Sequence, residues 1–112
     1  MVIMTIAGFD PSAGAGTLAD IKTMSAFGCY GVAAITSLTF QNTQGVYGAA
    51  HQPKDVVSEQ LTSLFEDFNI AAIKTGMLPT GEVIEEVAQQ IAARPLPYVI
   101  VDPVVRLSLI HI

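Results

Sequence analysis

Ala7-Gly8-Phe9-Asp10-Pro11-Ser12-Ala13-Gly14-Ala15-Gly16 is a run of small and turn-forming residues between an apolar stretch and a segment of helical spacing. A strand that ends in such a turn and enters a helix points backbone N–H groups at a ligand. Polar side chains recur at comparable places further along the chain. Asp20 lies near the start of the helical segment, either as a solvated helix-start carboxylate or as a group that positions a substrate hydroxyl. Gln41 and Asn42 follow a second apolar stretch. A carboxamide presents a donor and an acceptor side by side. That pair complements the ring nitrogen and exocyclic amino group of an aminopyrimidine, although it can equally satisfy the backbone of a turn. Lys74 closes a third apolar stretch, where a long cation must snorkel or pair, and Asp10 and Asp102 are its candidate partners. Met77 follows it, as pocket wall or as core.

Gly14-Ala15-Gly16-Thr17-Leu18-Ala19 matches the dinucleotide fingerprint G-x-G-x-x-G/A, but the placement argues against that use. Gly14 lies well beyond the end of the strand, and Gln41 stands where a ribose-binding acid would be expected. No Walker lysine follows the glycines. A turn that merely lets helix and strand approach closely is the plainer alternative. His51 and His111 show no metal-ligand spacing. Cys29 reads as a small buried side chain rather than a nucleophile.

The elements that must position these residues alternate. Residues 2–7 predict a strand and 16–27 a helix carrying Leu18, Ile21, Met24 and Phe27, with Gly28 stopping it in the left-handed conformation. Residues 30–40 predict a second strand, 41–45 a polar turn, and 46–48 a short extended piece. Pro53 opens a second helix whose apolar face is Val57, Leu61, Leu64, Phe65 and Phe68. Residues 70–73 predict a strand. Thr80 caps a third helix with Ile84, Val87, Ala88 and Ile91 on its apolar face, closed by Pro95 and Pro97. Residues 98–101 predict the last strand. Strands without polar alternation, separated by amphipathic helices, indicate a mostly parallel sheet covered on both faces. All strand C-termini then share one edge, which collects the glycine turn, Gln41, Lys74–Met77 and Asp102.

At 112 residues the chain makes one domain at most, with half its residues apolar and no Trp. The net charge of −5 and the scattered Lys22, Lys54, Lys74, Arg94 and Arg106 argue against nucleic-acid binding. A single cysteine excludes an internal disulfide and fits a reducing compartment. With no membrane-length apolar run and no secretory leader, the expectation is a cytoplasmic protein.

Taken in order, Thr5–Gly8, Asp10-Pro11-Ser12, Gly14–Gly16, Ala19–Lys22, Thr36–Leu38, Gln41–Val46, Lys74–Leu78 and Val101–Val104 resemble the hydroxymethylpyrimidine/phosphomethylpyrimidine kinases of thiamine biosynthesis. The resemblance implies a ribokinase-like α/β fold, three layers deep, of which residues 1–106 are the N-terminal part. It implies that the glycine turn holds the pyrimidine and not ATP. Gly8, Ala15, Asp20, Gln41, Met77 and Val104 would line that pocket, and Asp102 would approach the magnesium–phosphate region. It further implies ATP and Mg2+ as co-substrate and metal, two successive phosphorylations, and a homodimer. Catalytic residues would lie in a second half that the family carries beyond this stretch. Pyridoxal kinase of the same superfamily and a non-catalytic pyrimidine-binding remnant are the alternatives. Phe9, Ala13 and Phe40 depart from the family's usual residues. Residues 107–112 do not resemble it and read as foreign sequence joined to a truncated gene.

Overall fold

A computed structural model describes residues 1–103. Val104, Arg106, His111 and the 107–112 tail lie outside the described residues. The elements are β1 (Val2–Phe9), α1 (Gly16–Ala26), β2 (Tyr30–Asn42), β3 (Gly45–His51), α2 (Lys54–Asp67), β4 (Ile70–Thr75), α3 (Gly81–Ala92) and β5 (Tyr98–Val101). They build a five-stranded sheet in the order β3-β2-β1-β4-β5. β2, β1, β4 and β5 run parallel, and β3 is antiparallel to β2.

Alternation along β1 assigns the two faces. Met4 and Ile6 point to one side, where they pack with Val57 and Leu61 of α2 and Val83 and Val87 of α3 in a buried core. Thr5 points to the other side and hydrogen-bonds to Asp20 of α1. Helices therefore cover both faces, and the chain forms three layers. β5 is the exception to the expected cover. It pairs only with β4 among the described residues, and Tyr98, Ile100 and Val101 are 68%, 61% and 64% exposed.

Several local expectations are corrected. Residues 41–42 belong to β2 and not to a turn, and the short extended piece is a full strand. The polar side chains suggested a loop, but the backbone of Gln41 and Asn42 pairs with Val46 and Gly45, and a two-residue turn at Thr43-Gln44 closes the hairpin. The buried stripe of α3 is Val83, Val87 and Ile91, whereas Ile84 is 49% exposed and Ala88 is also exposed. Positions 83, 87 and 91 are spaced i, i+4, i+8, so a stripe started at 84 is rotated off the core by one residue. Phe27 caps α1 instead of joining its apolar face and is 82% exposed. Cys29 is half-buried, not fully buried.

The helix boundaries follow the sequence. Gly28 has φ 77° and its N–H bonds to Ser25, the left-handed stop expected of a glycine there. The Thr80 side chain accepts from the Val83 N–H at 3.2 Å.

Candidate active site at the strand C-termini

The glycine-rich turn folds around Asp10. Its Oδ1 accepts from the Ser12 N–H at 2.8 Å and the Ser12 hydroxyl at 2.6 Å. Its Oδ2 accepts from the Gly14 and Ala15 N–H groups, both at 3.0 Å. Burial pushes the Asp10 carboxyl up, but these four bonds together outweigh it and hold the group below its ordinary pKa. Asp10 is therefore consumed by its own turn and is not the partner of Lys74. The N–H groups that would cradle a phosphate in a dinucleotide or nucleotide loop are occupied by a carboxylate of the same chain. This agrees with a turn that shapes a pocket without binding phosphate.

Gly16 explains why the turn can close. Its φ is 64°, and a Cβ there would run into the Gly8 carbonyl oxygen. Ala13 shares this left-handed region at φ 63°, without a glycine's freedom. A register shift between Ala7 and Gly8 re-aims the end of β1 where the turn begins.

Behind the turn lies a cavity of about 130 Å³, whose walls include Gly8, Asp10, Ala15, Gln41, Lys74 and Met77. Pockets for drug-sized ligands run to roughly 300–1,000 Å³, so this one suits a single ring. Met77 forms the floor against Gly8, where a Cβ would stand 3.6 Å from the Met77 sulfur. The Met77 carbonyl accepts from the buried Thr36 hydroxyl at 2.6 Å. The Thr39 hydroxyl lies 2.7 Å from the Phe9 carbonyl oxygen and 3.0 Å from Gln41 Oε1. It thereby ties the end of β1 to the carboxamide.

Asp20 and Lys74 meet on the α1 side of the sheet. Lys74 Nζ is 2.8 Å from Asp20 Oδ2, and the same oxygen accepts from Thr5 Oγ1 at 2.6 Å. The partner expected for Lys74 was Asp10 or Asp102, and the fold supplies Asp20 instead. Asp102 lines the cavity mouth as an exposed residue, its backbone N–H bonded to the Thr75 carbonyl.

The structure thus brings Gly8, Ala15, Gln41, Met77 and Asp102 to one cavity, with Asp20 just outside its walls. Val104 lies outside the described residues. Sequence reading missed Thr39 and the role of Lys74 as a wall. Thr39 was out of reach, because its side-chain partner Gln41 reads as part of a turn, and only its place in β2 sets the two on one face. Among the described residues no cluster of three or more His, Cys, Asp or Glu could hold a metal, and no helix is long and apolar enough to cross a membrane.

Known proteins resemble this chain over most of its length. A hydroxymethylpyrimidine/phosphomethylpyrimidine kinase of Aquifex aeolicus is 50% identical over 106 residues, which is 95% of this chain and 42% of that protein. The crystal structure of a phosphomethylpyrimidine kinase from Clostridium difficile superimposes with a TM-score of 0.88 at 41% identity, over 93% of this chain and 45% of that one. A pyridoxal kinase from Staphylococcus aureus, in complex with AMP-PCP and pyridoxal, gives 0.82 at 38% identity, over 94% and 40%. The chain therefore spans less than half the length of these relatives, and its fold is ribokinase-like. With the phosphomethylpyrimidine kinase family model matching residues 10–109, the chain belongs to that family.

Proposed function

We propose that the protein phosphorylates 4-amino-5-hydroxymethyl-2-methylpyrimidine and then its monophosphate, with ATP as donor. This chain supplies the pyrimidine pocket of that reaction. The observation that carries the reading is the single-ring cavity with the Gln41 carboxamide in its wall and Met77 as its floor. The carboxamide pairs with the aminopyrimidine edge, one donor and one acceptor on each side. Gly8 and Ala15 supply close backbone walls. The self-filled turn at Asp10 supports keeping the phosphates of ATP away from this end.

Phosphoryl transfer depends mostly on positioning and on stabilising charge. Magnesium is commonly held by one or two carboxylates together with substrate phosphates. Asp102, exposed at the cavity mouth and with no side-chain hydrogen bond among the described residues, has the chemistry for one such contact. Bound there, the ion would neutralise phosphate charge. The 112-residue chain by itself is expected to bind the pyrimidine without turning it over, because it spans so small a part of its relatives. The full-length form would act as a homodimer.

Calorimetric titration tests the reading. The chain should bind the hydroxymethylpyrimidine, and Gln41→Ala should lose about tenfold or more in affinity through one lost paired contact. Preference for pyridoxal would favour the activity of the Staphylococcus aureus relative, whose likeness is nearly as strong. Measurable turnover with ATP by the 112-residue chain would refute the assignment of catalysis to residues beyond it.

A further inference from the structure

The cavity walls include Lys74 and not Asp20, although the two are paired. Asp20 Oδ2 is held by two donors, the Lys74 ammonium and the Thr5 hydroxyl. Thr5 is fully buried, so its hydroxyl has no water to turn to and fixes the carboxylate from behind. Lys74 is held at both ends. Its backbone lies in β4 between β1 and β5, and its tip is held by Asp20. An ammonium has three donors. Asp20 takes one, and no other described residue takes a second. Gly76 keeps the tip accessible, since a Cβ there would stand 3.3 Å from Nζ.

We propose that Lys74 is the residue that meets the oxygen substituent of the bound ring, and that Asp20 acts through Lys74 as a positioning residue. This rests on the pyrimidine reading above and deepens it. An ammonium can only donate, so it selects a ligand that places an acceptor there, either a hydroxymethyl oxygen or the oxygens of a phosphate ester. A free lysine would lose several rotors on meeting a ligand. The Asp20 and Thr5 contacts freeze those rotors beforehand, which favours binding. The paired carboxylate also offsets the charge, so the site is not a general anion trap.

The test compares two ligands on the 112-residue chain by calorimetry: the hydroxymethylpyrimidine and its analogue with methyl in place of hydroxymethyl. A hydrogen bond to a charged group corresponds to about tenfold to a hundredfold in affinity, so the wild type should prefer the hydroxymethyl ligand by at least about tenfold. Lys74→Met should erase that preference while keeping the affinity for the methyl analogue, which reports an intact pocket. Asp20→Asn should reduce the preference without abolishing it. A variant that merely disturbed folding would weaken both ligands alike. If Lys74→Met binds neither ligand, Lys74→Gln is judged by the same ratio. Lys74 variants that retain the preference while Asp20→Asn loses it would overturn the proposal and place Asp20 on the ligand. Equal wild-type affinity for the two ligands would overturn it as well. A wild type that binds neither pyrimidine would instead bring down the pyrimidine reading itself.

Discussion

Replacing Asp10 with asparagine exchanges one oxygen for an NH2 group and should cost about 2–3 kcal/mol of stability. The side chain keeps its shape, but only one of its two ends remains an acceptor. Oδ1 faces two donors on Ser12, and Oδ2 faces the Gly14 and Ala15 N–H groups. Turned toward Gly14 and Ala15, its NH2 confronts two N–H donors; turned toward Ser12, it confronts one N–H and a hydroxyl that must rotate to accept. Two charge-assisted bonds are lost, each worth about 1.5–3 kcal/mol when intact. Gly14 and Ala15 are exposed, so water replaces the carboxylate on their N–H groups and keeps the loss near the lower end. Urea denaturation followed by circular dichroism reads the change directly. The pH dependence adds a second signature. The Asp10 carboxyl is held below its ordinary value of 3.8 in the folded chain. Its contribution is thus fully present above that value and is lost as pH falls through the lower folded-state pKa. Wild type should lose stability across that acid window more steeply than Asp10→Asn. A variant within about 0.5 kcal/mol of wild type, with the same acid profile, would refute the view that this carboxylate organises the turn.

Ala13 sits at φ 63°, in the left-handed region that costs a non-glycine residue about 1–2 kcal/mol. Ala13→Gly should therefore stabilise the chain by roughly 1 kcal/mol after the entropy cost of glycine, read as a rise in the urea midpoint. A fall would show that the turn holds Ala13 without strain. The exposed strand β5 presents Tyr98 and Ile100 on one face, at 68% and 61% exposure. Such an apolar edge, paired only with β4 among the described residues, invites association. Sedimentation of the 112-residue chain should show concentration-dependent association that Tyr98→Lys with Ile100→Lys reduces. A wild-type chain that stays monomeric at high concentration would remove β5 as its cause.

Much of the fold was legible because its signals are local. Apolar runs, a threonine three residues before Val83 and a glycine after Phe27 mark elements through contacts a few residues long, and the structure repeats them. The turn around Asp10 was legible in the same way and was missed. An aspartate followed two residues on by serine is a known local hydrogen-bonding pattern, and its bonds span only two to five residues. Gln41 was singled out by type and lines the cavity, but its place inside β2 was not legible. Strand pairing with Val46 supplies backbone partners that no single segment reveals.

The ion pair of Lys74 belongs wholly to the tertiary structure. From sequence, Lys74 needed a partner, because a cation at the end of a buried strand is costly alone. Two carboxylates, Asp10 and Asp102, were near enough in the expected topology to serve, and neither does. Asp20 is 54 residues away along the chain, and only the packing of α1 over β1 and β2, with β4 paired beside β1, brings it within 2.8 Å. Residue type and spacing determined what this protein handles at its strand ends: a polar edge, a glycine turn, and a cation in need of a partner. The layering of helix on sheet decided which carboxylate meets that cation, and which of the two lines the cavity, because contact between distant segments depends on how the layers close and not on the order of residues within either one.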